Sequence, residues 1–429
     1  MRILRMGDIG PQVQLLQLAL RRAGTFTGNT TGVFGAQTRT ALIAFQRREA
    51  LTADGIAGPR THRALDPYYT GYAAHRVRPG DTLYRIALSY GSSVSAISTA
   101  NPGLVPARLQ PGQRITVPLN FMVTPTTIDW CSETVNFVCR GLAARYPFIR
   151  LGEIGRSVMG KSLWELRMGS GGGRLFCNGA HHANEWITVP LLLRFTEELA
   201  AAYARNGEIY GYNARELLSA VTLSIVPAVD IDAIDLVTGD LTAGAYYERA
   251  ADIAGNYPDI PFPAGWKANI EGVDLNLQYP AGWEQAREIK FNQGFTGPAP
   301  RDYVGTAALS APESRAVYEH TISFDPNLTL SYHTQGEVIF WKFLDYEPEY
   351  SRDIAEAFGD VSGYFVEETP YASGFAGYKD WFIQNYNRPG YTIEAGSGTN
   401  PLPISSFEEI YSDNIGILSL AMRIVGQLF

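Results

Sequence analysis

"FCNGAHHANEWITVP", residues 176–190, sets two histidines side by side and a glutamate three positions after the second. The chain has 6 histidines in 429 residues, and two of them stand here. The run before them reads as a buried strand ending near Gly179, and the run after them opens an amphipathic helix. That alternation continues from about residue 122 to the end. Apolar β-like runs ("RLFCNG", "VTLSIVPAV", "LTLSYH", "GYTIEAG") alternate with helical stretches near 128–146, 186–205, 311–323 and 406–428. The pattern predicts an α/β domain whose mixed, mostly parallel sheet is flanked by helices. Active sites in such folds sit at the C-terminal ends of strands.

His182 and Glu185, three apart in the turn after the first strand, are placed to converge on one ion. A zinc site of two nitrogens and a carboxylate needs a third ligand from elsewhere and keeps one position open for water. "LTLSYHTQGEVIFW" (328–341) delivers His333 at the end of an alternating strand, and "RPGYTIEAGSG" (388–398) delivers Glu394 just before a small-residue loop. A carboxylate beside an activated water can take its proton and pass it to a leaving amine. Singly, each piece has a structural reading: a surface His–Glu pair, a buried histidine, a loop-capping glutamate.

In this order the pieces resemble the zinc carboxypeptidase (funnelin metallocarboxypeptidase) family, over roughly 125–429. "GAHHANEWIT", "GVDLN", "SYHT" and "YTIE" carry the resemblance. It implies a metallocarboxypeptidase-like fold and one Zn2+ held by His182, Glu185 and His333, with Glu394 as general base and acid. His181 is then a neighbour. "TPYASGFAGYKDW" (369–381) resembles the segment supplying a mobile substrate-binding tyrosine, with Tyr371 in that role and Tyr378 as its rival. Lys267, in "GWKANIEGVDLN", falls where the family keeps a cation that polarises the scissile carbonyl, and Asn276 matches an asparagine that holds a substrate carboxylate. Two departures stand out. Leu277 occupies the position of the arginine that clamps a C-terminal carboxylate, and an unpaired buried carboxylate is very unfavourable. "PAVDIDAIDLV" replaces the usual Asn-Pro-Asp-Gly.

The front of the chain differs in character. "GVFGAQTRTAL" (32–42) and "GIAGPRTHRAL" (55–65) form an internal repeat spaced by 23 residues, each copy a Gly-bearing turn leading into a short helix. With the amphipathic helix upstream, this predicts a compact three-helix module over 1–67. It resembles the peptidoglycan-binding helical domain of bacterial wall hydrolases. Residues 75–119 read as β-α-α-β and resemble a LysM module, which implies binding of N-acetylglucosamine-containing glycans. Residues 1–120 carry a net charge of +9 and residues 121–429 a net charge of −17. The basic front suits an anionic surface, but no Lys/Arg run interleaved with aromatics points to nucleic acid. The C-terminal "NIGILSLAMRIVGQLF" is too short for a membrane span. Cys131, Cys139 and Cys177 form no CxxC pair and read as buried thiols.

Together the modules resemble bacterial γ-D-glutamyl-diaminopimelate (or L-diamino acid) endopeptidases. This implies a peptidoglycan hydrolase, domain 122–429, that cuts the γ-D-glutamyl–diamino acid bond of stem peptides. Its partners are peptidoglycan glycan strands and stem peptides, with no nucleic acid and no membrane. Lys267, Arg388 (just ahead of the last strand) or another cation is expected to meet the substrate carboxylates. The alternatives are an ordinary zinc carboxypeptidase, another wall-peptide amidase, or a wall-binding protein with an inactive hydrolase domain. A cell-wall or spore association is expected, without a recognisable signal peptide.

Overall fold

A computed structural model describes residues 1–429, and the chain divides into two compact units, Met1–Arg150 and Leu151–Phe429. The first opens with three helices, α1 (Pro11–Arg22), α2 (Ala36–Arg48) and α3 (Pro59–Thr70), around Leu16, Leu20, Phe34, Leu42, Phe45 and Leu65. The sequence repeat becomes two identically braced turns. Gly32 and Gly55 both sit at φ 73°, in the left-handed region open to glycine. The Gly32 amide donates to Gln17 Oε1 at 3.0 Å and the Gly55 amide to Gln46 Oε1 at 2.9 Å. Each glutamine Nε2 then donates to the carbonyl of the next residue, Val33 or Ile56, and to the hydroxyl of Thr38 or Thr61. Both glutamines are buried on the preceding helix.

Strand β1 (Tyr72–Arg76), α4 (Leu83–Ser89), α5 (Val94–Ala100) and β2 (Arg114–Pro118) follow, with β1 and β2 paired antiparallel. Thr82 and Ser93 cap the two helices by accepting the amides of Arg85 and Ala96. Val77, Leu83, Ile86, Ile97, Ile115 and Val117 form a small core of their own. Helix α6 (Ser132–Arg145) also belongs to this unit, with Phe137 stacked on Tyr69 of α3 at 4.7 Å. Segment 122–150 groups with the first compact unit.

The second unit is built on one sheet. Its elements begin with β3 (Arg150–Arg156), β4 (Ser162–Met168), β5 (Gly173–Gly179) and α7 (Thr188–Arg205). A two-stranded hairpin, β6 (Glu208–Ile209) and β7 (Tyr212–Asn213), leads into α8 (Ala214–Ala220), β8 (Val221–Val226), α9 (Ile231–Val237) and α10 (Ala245–Gly255). Then come α11 (Trp283–Asn292), α12 (Pro312–Phe324), β9 (Leu328–His333), β10 (Val338–Phe340) and α13 (Ser351–Ser362). β11 (Phe365–Glu367), α14 (Tyr378–Tyr386), β12 (Gly390–Glu394) and α15 (Phe407–Leu428) complete it.

The strand order is β11-β10-β12-β9-β5-β8-β4-β3. The four central strands run parallel, while β10 and β4 are antiparallel to their inner neighbours. Every residue of β9 is buried, as expected of a strand covered on both faces. Phe176 packs with Val317 and Phe324 of α12 and Phe382 of α14 on one face. On the other face Gly173 lies against Val425 of α15 and Gly179 against Leu192 of α7. No helix is long and apolar enough to cross a membrane.

Candidate metal centre and active-site cleft

Parallel pairing aligns the C-terminal ends of β5, β9 and β12. Glu394 is the register partner of His333, and Gly179 that of Tyr332. The turn after β5 is pinned by Thr188, whose hydroxyl accepts the Ala180 amide at 2.9 Å and donates to the Glu185 carbonyl at 2.9 Å. This closed turn carries His182 and Glu185 over the end of β9.

The structure brings His182, Glu185 and His333 together, with one donor atom from each inside a 4.8 Å cluster. The two Nδ1 atoms are 3.2 Å apart, and Glu185 reaches His182 Nδ1 through Oε1 at 2.9 Å and His333 Nδ1 through Oε2 at 2.8 Å. Zinc–nitrogen bonds of ~2.0–2.1 Å at tetrahedral angles require donors roughly 3.3 Å apart. The set fits such an ion after a small opening. Burial pulls the His182 pKa down, but Glu185 and Asp274 outweigh it and raise it to about 9. Without metal, these carboxylates favour the protonated imidazole, and a bound cation would take the place of that proton.

His182 Nε2 faces Asp274 Oδ1 at 3.2 Å. Asp274 was not singled out from the sequence, although it lies in the "GVDLN" that supported the family resemblance. His181 is fully buried and turned away, its Nε2 against the Tyr279 hydroxyl at 2.9 Å. Lys267 Nζ stands 3.2 Å from Glu185 Oε1. Burial opposes its charge, yet Glu185 and Asp274 hold its pKa above the ordinary lysine value, so it stays an ammonium. Glu394 is partly open to the cleft. Burial pushes its carboxyl above the usual range, while His333 pulls it back and Glu185 pushes it up again.

His182, Lys267, Asp274, His333 and Glu394 line a cleft of about 710 Å³. Asn276 lies in it and accepts the Tyr378 amide through Oδ1 at 3.0 Å, with no partner on its Nδ2. Leu277 lines it too, so an apolar side chain stands at the expected position of the clamp. Tyr371 is exposed on the loop before α14, its ring edge-on to Phe375 at 5.0 Å. Tyr378 is fully buried with its hydroxyl 3.0 Å from Thr321, which removes it as a mobile tyrosine. Arg388 is not brought to the cleft. It precedes β12, at the opposite end from Glu394, and its guanidinium donates to Asp325 at 2.7 Å and to the Pro326 carbonyl at 2.8 Å. The expectation that it meets substrate is corrected by the strand's direction. Lys267, Asp274, Asn276, Lys290, Arg301 and Asp302 all come from the long connection between β8 and β9.

A parallel-centred α/β sheet with two histidines and a glutamate at its strand ends, and a further carboxylate in the same cleft, has the architecture of a single-metal peptidase. Comparison with known proteins agrees: the zinc carboxypeptidase profile matches residues 135–415, a peptidoglycan-binding domain matches 9–65 and a LysM domain matches 75–118. The chain belongs to the zinc carboxypeptidase family and is a zinc metallopeptidase. It is 41% identical over 276 residues to gamma-D-glutamyl-L-diamino acid endopeptidase 1 of Lysinibacillus sphaericus, covering 64% of this chain and 68% of that one. It is 38% identical over 280 residues to YqgT of Bacillus subtilis, covering 65% and 73%. Carboxypeptidase A of Helicoverpa armigera shares the fold, with a TM-score of 0.54 at 16% identity over 84% of this chain and 98% of that one.

Proposed function

We propose that this chain is a zinc-dependent peptidoglycan hydrolase that cleaves the γ-D-glutamyl–diamino acid bond of stem peptides. The observation that carries this reading is Leu277: a full set of metal donors lies in a cleft whose usual grip on a C-terminal carboxylate is apolar. A buried carboxylate left without a partner there is strongly disfavoured, which weighs against ordinary carboxypeptidase activity. The name of the Lysinibacillus sphaericus relative supports the specific bond. The peptidoglycan-binding and LysM domains support glycan strands as the second partner and the cell wall as the place of action. We assign the three-helix module to 1–67, the LysM module to 75–119 and the hydrolase to 122–429, the stretch within which the zinc carboxypeptidase match at 135–415 falls.

His182, Glu185 and His333 hold the ion, and Asp274 orients His182 by accepting from Nε2 so that Nδ1 is left for the metal. Zinc, when bound, polarises the scissile carbonyl and lowers the pKa of a water molecule toward neutrality. Glu394 takes the proton of the attacking water and later delivers it to the leaving amine, a task suited to a carboxyl that burial raises above its ordinary value. The Lys267 ammonium faces the oxygen on which negative charge develops. Asn276 Nδ2 and the Tyr371 hydroxyl bind substrate.

The deciding experiment is mass spectrometry of products from a free tetrapeptide stem, with an ordinary peptide bearing a free C-terminus as control. Cleavage between D-Glu and the diamino acid, with no trimming of the control, is expected. Release of single C-terminal residues refutes the reading. In the same assay Glu394→Gln keeps its zinc and loses roughly 10²–10⁴-fold in turnover.

A further inference from the structure

With Leu277 at the clamp position, some other group must meet the substrate carboxylates. Four lysines and arginines line the cleft: Lys267, Lys290, Arg301 and Lys379. Three are already engaged. Lys267 stands on Glu185, Lys290 pairs with Asp302 at 2.6 Å, and Lys379 is held by Asp380 at 2.5 Å and by the Lys342 carbonyl at 2.7 Å.

Arg301 is different. Only its Nε is used, on Asp302 Oδ2 at 2.6 Å, and its side chain is 46% exposed. Nη1 and Nη2 have no protein partner, so the end-on edge of the guanidinium, with its parallel N–H donors, is free. That edge matches a carboxylate in two-point fashion, which a lysine cannot do.

The segment that carries it is fixed on both sides. The Pro300 carbonyl accepts the amides of Lys267 at 2.8 Å and Ala268 at 2.9 Å. The Asp302 amide donates at 3.1 Å to Oδ2 of Asp274, the same carboxylate whose Oδ1 meets His182. Asp302 holds this position at φ 65°, in the left-handed region that non-glycine residues rarely adopt. Its carboxylate is shared by Lys290 and Arg301, so the trio carries one net positive charge into the cleft.

We infer that Arg301 is the specificity-determining residue of the cleft and that its free Nη edge binds a substrate carboxylate next to the scissile bond. The inference rests on the γ-D-glutamyl reading above. In that substrate two groups share the required chemistry, the α-carboxylate of D-Glu and the carboxylate of the diamino acid.

The test uses the full chain, zinc-loaded and carrying Glu394→Gln so that ligand is not consumed, with γ-D-glutamyl-L-lysine as the probe. Three forms are compared by calorimetry: both carboxylates free, the D-Glu α-amide, and the lysine carboxamide. Arg301→Ala is expected to weaken the free dipeptide at least tenfold and to leave one amide unaffected; that amide identifies the carboxylate. Arg301→Lys, which keeps the charge without the fork, shows the same ordering and serves if the alanine variant misfolds. The inference is overturned if Arg301→Ala binds all three forms as the parent does, if it weakens all three equally, or if the zinc-loaded parent binds none. Turnover by the chain with Glu394 intact separates the two readings. No cleavage together with a persistent Arg301 effect removes the γ-glutamyl hydrolase and leaves the subsite, whereas cleavage without an Arg301 effect does the reverse.

Discussion

Asp274 meets His182 through one carboxylate oxygen and the Asp302 amide through the other. It therefore sets the orientation of the imidazole and the position of the Arg301 segment at once. Loss of such a partner typically lowers metal affinity 10–100-fold. Asp274→Asn is expected to fall in that range when zinc is titrated against a chelator of known affinity, and unchanged retention would remove Asp274 from the site. The sequence made the donors readable because each sits at a strand end or in the turn after one, and because their order along the chain pointed to one site where each alone had a structural reading. Asp274, Arg301 and Asp302 lie in a connection without periodicity, and their convergence depends on backbone contacts such as Lys267 to Pro300. Arg388 misled for a related reason: nearness to Glu394 along the chain says nothing about which end of the strand faces the cleft.

Glu313, in the first turn of α12, is fully buried, with Oε1 accepting the Val158 amide at 2.9 Å and Oε2 accepting from Asn269 at 3.2 Å. Asp230, Asp232 and Lys161 are the nearby charged groups, with Lys161 held by Asp232 and Asp235. Burial pushes Glu313 from its ordinary 4.5 up to about 7, while the Val158 amide pulls it down. The folded chain thus binds a proton that the unfolded chain releases, so stability falls as pH rises from about 4.5 to about 7. The loss is on the order of 3 kcal/mol. Urea midpoints at pH 5 and pH 7.5 measure it, and Glu313→Gln flattens the slope at the cost of the Asn269 bond. A midpoint that climbs over this interval contradicts the assignment. In the helical module, Gln46→Ala strips the Gly55 turn of its brace and costs about 2–4 kcal/mol. Hydrogen exchange over residues 1–70 detects this, with turnover of a free stem peptide unchanged. The repeat was legible in its glycines, threonines and Ala-Leu pairs. The glutamines were not, because they precede their glycines by 15 residues in one copy and 9 in the other.

At the scale of the whole molecule, a peptidoglycan-binding domain and a LysM domain joined to a peptidase would, on the proposed function, hold the cleft near insoluble substrate by raising its effective concentration. Soluble N-acetylglucosamine oligomers should therefore reduce binding to intact peptidoglycan and slow its digestion while leaving hydrolysis of a free stem peptide untouched. Equal inhibition of both substrates would place the sugar in the peptidase cleft and remove this division of labour. His182, Glu185 and His333 stand at the end of β9 and in the turn after β5, whereas most of the charged side chains lining the cleft come from the single crossover from β8 to β9. On the proposed function, the metal donors and Glu394 lie on strand ends and an adjoining turn, while the Arg301 subsite lies on a separate stretch of chain. A graft that exchanges this crossover between relatives would carry a new preference onto an old engine, provided Asp274 travels with it to keep hold of His182.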